Sequence, residues 1–331
     1  MMRAFDRSIL RSPNSFYFGK IPSRSDFVKS ASGAKVIGLM DQWVGHGMEM
    51  LMALPDWKES FDCGGPFDFL FLGMKRKHAI HGTLAPSRDA SSRRFPLIAA
   101  TSFEVANPLQ FLRLGTLTLD DLCRHRRHLM QHAIQAHDMP ESLELLNGSV
   151  HDSSLACQTA EARCTSYLAA HSLASLNAML LPEPNGMPLR QVIPALGHLL
   201  NPLRDDSATV PQKAVALPLP QRETERVGMM TFWLQLIAIS LAGSSMELSL
   251  FSGRHLGSPR LIIAFNGVTP LIFQALFDEH AAREFVIDLA CTSWSEHLES
   301  LHPSCAALSS HLEHRELSSL QIIASFQNAF G

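Results

Sequence analysis

A chain of 331 residues, 46% hydrophobic and 18% charged, can bury one large core or two modest ones, which excludes disorder as its dominant state. Its 28 Lys and Arg against 31 Asp and Glu leave a formal net charge of −3, so no overall field draws it to nucleic acid or to an anionic membrane.

The first ten residues, MMRAFDRSIL, break their apolar stretch with Arg3, Asp6 and Arg7 and lead to Pro13. This is not the pattern of a secretory leader, and a cytoplasmic location is expected, with residues 1–14 as a tail. FYFG (16–19) then reads as a strand ended by Gly19 and by the turn-forming Pro22. VIGLMDQWVGHGMEMLMAL (36–54) spaces Leu39, Trp43 and Met50 helically and stops before Pro55, which predicts a helix with a Met-rich core face.

Three apolar runs follow, at 67–74, 78–84 and 96–105. Lys75, Arg76 and Lys77 separate the first two, and a Pro, Ser and Arg-rich loop separates the last two, so an antiparallel meander is expected. A second helix is read over 116–137, with Thr118 and Asp121 as a capping box and an apolar stripe through Leu122, Leu129 and Ala133.

Composition turns to Asp, Ser, Asn and Gly over 138–160. A boundary placed there gives a first unit at 15–140 and a second at 160–331. Four prolines in 201–223 suggest an extended surface loop. A helix around 225–242, strands at 246–251, 260–265 and 285–289, a helix near 270–278 and an amphipathic helix from Ser304 to Phe326 complete the chain. Meander strands flanked by helices argue for an α+β fold.

Patterns of chemistry are mostly lacking. Gly19-Lys20 runs on into Ile21 with no phosphate-loop glycine before it, and Gly45-His46-Gly47 sits inside a helix with Met50 at the third glycine position. There is no GxSxG, HExxH or EF-hand pattern. His125, His128 and His132 share a helix face and form the best metal candidate, but Arg124, Arg126 and Arg127 in the same turn favour a solvated basic surface. No cofactor is implied. The six cysteines form no CxxC pair and read as reduced thiols. TFWLQLIAISLAG (231–243) falls short of the ~20 residues that cross a bilayer, and reads as a buried core helix.

The corner FYFGKIPSRSDFV (16–28) is unusually dense in features. Gly19 turns, Pro22 stiffens, Ser23 and Asp26 read as a reciprocal cap, and Phe27 with Val28 is expected to go inward, which leaves Lys20 and Arg24 unexplained.

This segment resembles the opening signature of the type VI secretion-associated TagF family, typically FYGKLPSRGDFV. Trp43, Cys63-Gly64 and Arg93-Arg94-Phe95-Pro96-Leu97 follow in that family's order. Ser25 stands where the family has glycine, which puts the turn geometry in question. The resemblance implies a longin-like first lobe with a central antiparallel sheet; the pattern of elements after residue 160 places a second, smaller α/β lobe beside it. It also implies a non-catalytic cytoplasmic protein, a post-translational repressor of type VI secretion that binds the forkhead-associated scaffold. The associated serine/threonine phosphatase is a second expected partner.

On that reading Lys20, Ser23, Arg24, Asp26, Arg93 and Arg94 are candidate partner-binding residues, with the cations exposed for carboxylates or carbonyls of the scaffold. Gly19, Pro22, Phe27, Trp43, Phe95 and Pro96 form the structural signature. Two rivals stand: a structural component of the secretion baseplate, and a hydrolase or phosphatase-like enzyme using Ser23, Asp26 and a distant histidine, which predicts a deep concave site with a titration-shifted His or carboxylate beside the corner.

Overall fold

A computed structural model of the chain describes residues 10–151, 157–180, 186–204, 210–290 and 303–331. Its nine described strands form one sheet: β1 (Leu10–Gly19), β2 (Val28–Lys29), β3 (Phe67–Gly73), β4 (His78–Ala85), β5 (Leu97–Val105), β6 (Ala214–Pro218), β7 (Glu247–His255), β8 (Ser258–Ala264) and β9 (Val286–Asp288). Their order is β2-β1-β5-β4-β3-β7-β8-β6-β9, with every pair antiparallel except β6 and β9. The fold is α+β.

Both faces of the sheet are covered, which is why the strands read as continuous apolar runs. In β3 the side chains divide by parity: Phe67, Phe69 and Phe71 face one core, Leu70 and Leu72 the other. The aromatic face packs under α1 (Ala34–Met52), α2 (Trp57–Cys63), α9 (Pro270–Phe277) and α10 (Glu279–Phe285). The aliphatic face lies under α3 (Pro108–Gln135), α5 (Cys157–Ala170), α6 (Leu173–Leu180), α7 (Leu189–Leu200), α8 (Glu223–Ser240), α11 (Pro303–His311) and α12 (Ser319–Phe330). A third cluster joins α4 (Met139–His151) and the end of α3 to Tyr17 and Ala99.

The meander at 67–105 forms as expected. β3 also pairs with β7 along its whole length, from Phe67↔Gly253 to Gly73↔Glu247. Trp43 of α1 packs against Phe71 from the first stretch and Phe251 and Phe273 from the second, and its indole N–H donates to the Thr269 carbonyl (2.9 Å). The stretches read as two units therefore share one sheet and one aromatic core.

Several expectations need correction. Residues 214–218 lie in the supposed surface loop, yet they form the buried strand β6 between β8 and β9. Pro218 is tolerated there as the last residue of the strand. Thr118 does not cap α3; that helix starts at Pro108, where Asn107 accepts from the Gln110 N–H and the proline occupies the first position, the stronger start signal. The Thr118 hydroxyl instead bonds back to the Leu114 carbonyl.

Leu39 is 62% exposed, because the buried face of α1 runs through Ile37, Met40, Trp43, Val44 and Met48. The C-terminal helix is two, α11 and α12, broken at Glu313–Glu316, with Ser318 and Gln321 forming the capping box of the second. Residues 138–160 carry helical structure in α4 and the start of α5; positions 152–156 lie outside the described residues.

Candidate interaction site

The corner is built where β1 leaves the sheet. Gly19 adopts φ +137°, and a Cβ there would stand 2.2 Å from the Pro96 carbonyl oxygen, so only glycine allows this approach. Ile21 to Arg24 close a turn through Pro22, with the Arg24 N–H donating to the Ile21 carbonyl (3.2 Å). The chain then returns as β2, whose Val28 pairs with Gly19.

Across from this turn lies the loop between β4 and β5. Backbone and side-chain bonds zip the two together: Ala90 N–H to the Arg24 carbonyl (2.9 Å), Ser87 hydroxyl to the Lys20 carbonyl (2.7 Å) and Arg93 Nη2 to the Ser25 carbonyl (2.6 Å). The two halves of the sequence signature thus meet in space.

Their meeting point is Asp89, which sequence reasoning missed. Its side chain is closed to solvent and lies 3.0 Å from Lys20 Nζ and 2.8 Å from Arg93 Nε. It also accepts the backbone N–H groups of Ser91 and Arg93, each at 2.9 Å. Burial alone would raise its pKa, but the backbone bond from Arg93 and the Lys20 and Arg93 side chains hold it well below the ordinary carboxylate range. The available signal was the Asp followed two residues on by Ser, an Asx-turn pattern that reads simply as loop.

The other predicted residues are redistributed. Lys20 is buried, not exposed, because it neutralises Asp89; its ammonium also lies 5.2 Å from the Phe27 ring centre. Arg94 forms a two-pronged pair with Asp62 (2.8 and 2.6 Å) beside Trp57. Arg93 bonds Asp89 and Ser25 while its side chain remains 62% exposed.

Ser23 and Asp26 form no cap, since a strand and not a helix follows; the Ser23 hydroxyl meets that of Ser142 on α4 (2.9 Å), and Asp26 is exposed. Among the described residues, no partner meets the Arg24 guanidinium. Phe27 points outward, 48% exposed, against the buried Phe95 edge to face at 4.8 Å, while Val28 goes in. Ser25 has no positive φ, so the position makes no demand for glycine here.

A second buried polar centre ties α3 to the sheet. Arg126 is fully enclosed, contrary to the expected solvated surface. It donates to His81 Nδ1 (3.0 Å), the His81 carbonyl (3.1 Å) and Thr101 (2.8 Å). Burial and the neighbouring Arg126 and Arg127 push the His81 pKa well below its usual value, so this imidazole is neutral. Arg127 pairs with Asp68 (3.2 Å) and Glu223 (2.6 Å).

His125, His128 and His132 do not assemble a ligand set. His128 and His132 meet each other on the exposed face, Nε2 to Nε2 at 3.1 Å, and among the described residues no group of three His, Cys, Asp or Glu is placed to hold a metal. Likewise, no described helix is long and apolar enough to cross a membrane.

Residues 16–148 match the family model of the TagF N-terminal domain, described as type VI secretion system-associated. Over those residues the chain carries a TagF N-terminal domain. Among solved structures, PA0076 from Pseudomonas aeruginosa PAO1 is similar at 15% identity and a TM-score of 0.43, covering 80% of this chain and 93% of that one. No curated protein matches the chain. Both halves of the interlocked corner fall inside the TagF domain.

Proposed function

We propose that this chain is a non-catalytic cytoplasmic regulator, a post-translational repressor of type VI secretion that acts by binding the forkhead-associated scaffold of that system. The observation that carries the reading is the TagF domain over residues 16–148, with its signature corner preorganised around Asp89. A rigid edge loses little conformational entropy when it docks, which suits recognition. The shifted group that the hydrolase alternative asks for is present at the corner as Asp89, but its carboxylate is closed to solvent and held by Lys20 and Arg93, and Ser23 meets a serine hydroxyl rather than a histidine.

Co-purification of the tagged chain with the scaffold from the native host tests the proposal. A complex with the scaffold is expected. Recovery with assembled secretion particles at fixed stoichiometry, and no separate scaffold complex, would favour the structural-component reading instead.

A further inference from the structure

An outward Phe27 is the feature the sequence did not foresee. Its ring is half exposed, yet it is not loose: Phe95 supports one side, and the Lys20 ammonium, itself locked to Asp89, approaches its face. An exposed aromatic held by a buried platform has already lost the freedom that a partner would otherwise have to take from it. Aromatic and Arg side chains in such settings supply much of the energy of protein interfaces.

The surroundings select the partner's charge. Segments 20–29 and 88–94 carry six Lys and Arg against two Asp, in a chain whose net charge is −3. Asp89 is consumed internally by Lys20 and Arg93, and Arg94 is consumed by Asp62. What these segments leave to solvent is the half-buried, unpartnered Arg24, the outer side of Arg93, the exposed Arg88, the exposed Lys29 on the same side of the chain as Phe27 two residues on, and Asp26 as their one free carboxylate.

We propose that this surface takes an acidic segment of a partner protein, with an apolar side chain seated on Phe27 and flanking carboxylates on Arg24 and Arg93. The inference rests on the reading of this corner as a recognition site and deepens it: Phe27 is the anchor, Arg24 and Arg93 read charge, and Lys20 and Asp89 position the ring without touching the partner. Complementary charge of this kind steers association and weakens as salt rises.

Photocrosslinking in the native host tests it, with p-benzoylphenylalanine placed at position 27 and, as a surface control, at the exposed Leu320. The expected result is an adduct at 27 and not at 320, mapping to an Asp- and Glu-rich segment and lost when Arg24→Glu is added. With the purified partner, Phe27→Ala should weaken binding about tenfold or more, while Phe27→Trp should retain it, both with the fold intact by circular dichroism.

An acidic segment belonging to a protein other than the forkhead-associated scaffold would support this surface and remove the scaffold from the proposed function. Absence of an adduct specific to position 27, an adduct on a neutral or basic segment, or indifference to Arg24→Glu would overturn the inference.

Discussion

Lys20 Nζ stands 3.0 Å from the carboxylate of Asp89, joining residues 69 positions apart and fixing one half of the TagF signature to the other. The pairing explains why a lysine follows the turn at Gly19: its charge serves the interior of the corner.

This pairing has a pH signature. Asp89 stays ionised in the folded protein at pH values where it protonates in the unfolded chain, about pH 4. Its contribution is therefore complete above that pH and drains away as acid approaches the lower folded value. The stability gap between wild type and Asp89→Asn, measured by urea denaturation, should be flat from about pH 7 to 5 and narrow below about pH 4. A gap unchanged down to about pH 2 would contradict the ion pairing.

Gly19 and Ser25 should respond oppositely to substitution. Gly19→Ala drives a methyl group into the Pro96 carbonyl at a strained φ, against backbone that cannot swing aside, so it should disrupt the corner and lower the thermal midpoint markedly. Ser25→Gly, which restores the family residue, relieves no strain and should cost up to ~1 kcal/mol through the unfolded chain. Stabilisation by Ser25→Gly would mean that the turn is strained after all.

Arg126 and His81 form the clamp between α3 and β4. Removing the guanidinium by Arg126→Ala strands the His81 carbonyl and opens a void, at a cost of ~3 kcal/mol. His81 is neutral when folded and gains a proton when unfolded below about pH 6.5, so its contribution is full above that pH and is lost as pH falls. Proton NMR should show the His81 ring failing to titrate between about pH 8 and 5.5.

Trp43 tests whether the two stretches fold together. Trp43→Ala should cost ~3–5 kcal/mol. Trp43→Phe, which loses chiefly the bond to Thr269, should cost ~1–2 kcal/mol. Spectroscopic probes in β4 and in β8 should then lose structure in one shared transition; separate transitions would show independent units.

Much of the sheet was legible because β3, β4 and β5 are long apolar runs separated by charged turns, and local pattern suffices for them. β6 was hidden because its two flanking prolines imitate a loop, and its place between β8 and β9 depends on contacts distant in sequence. α5 is rich in small and polar residues, which dilutes its periodicity.

At the corner, the residue types were legible, but which of them turn inward was not. Lys20 and Phe27 exchanged sides, lysine in and phenylalanine out, because a carboxylate 69 residues away makes burial of the ammonium favourable. Arg126 was equally opaque: nothing local separates it from the exposed Arg124, and only the packing of α3 on the sheet selects which arginine goes inside.

Secretion itself is the most direct readout of a repressor. Extracellular tube protein should be measured in the native host, with the chain overproduced, deleted, or carrying Arg24→Glu at matched levels. Suppressed secretion on overproduction, raised secretion on deletion and loss of suppression in the variant are the predicted results. Secretion that continues unchanged when the intact chain is overproduced would contradict the proposed repressor.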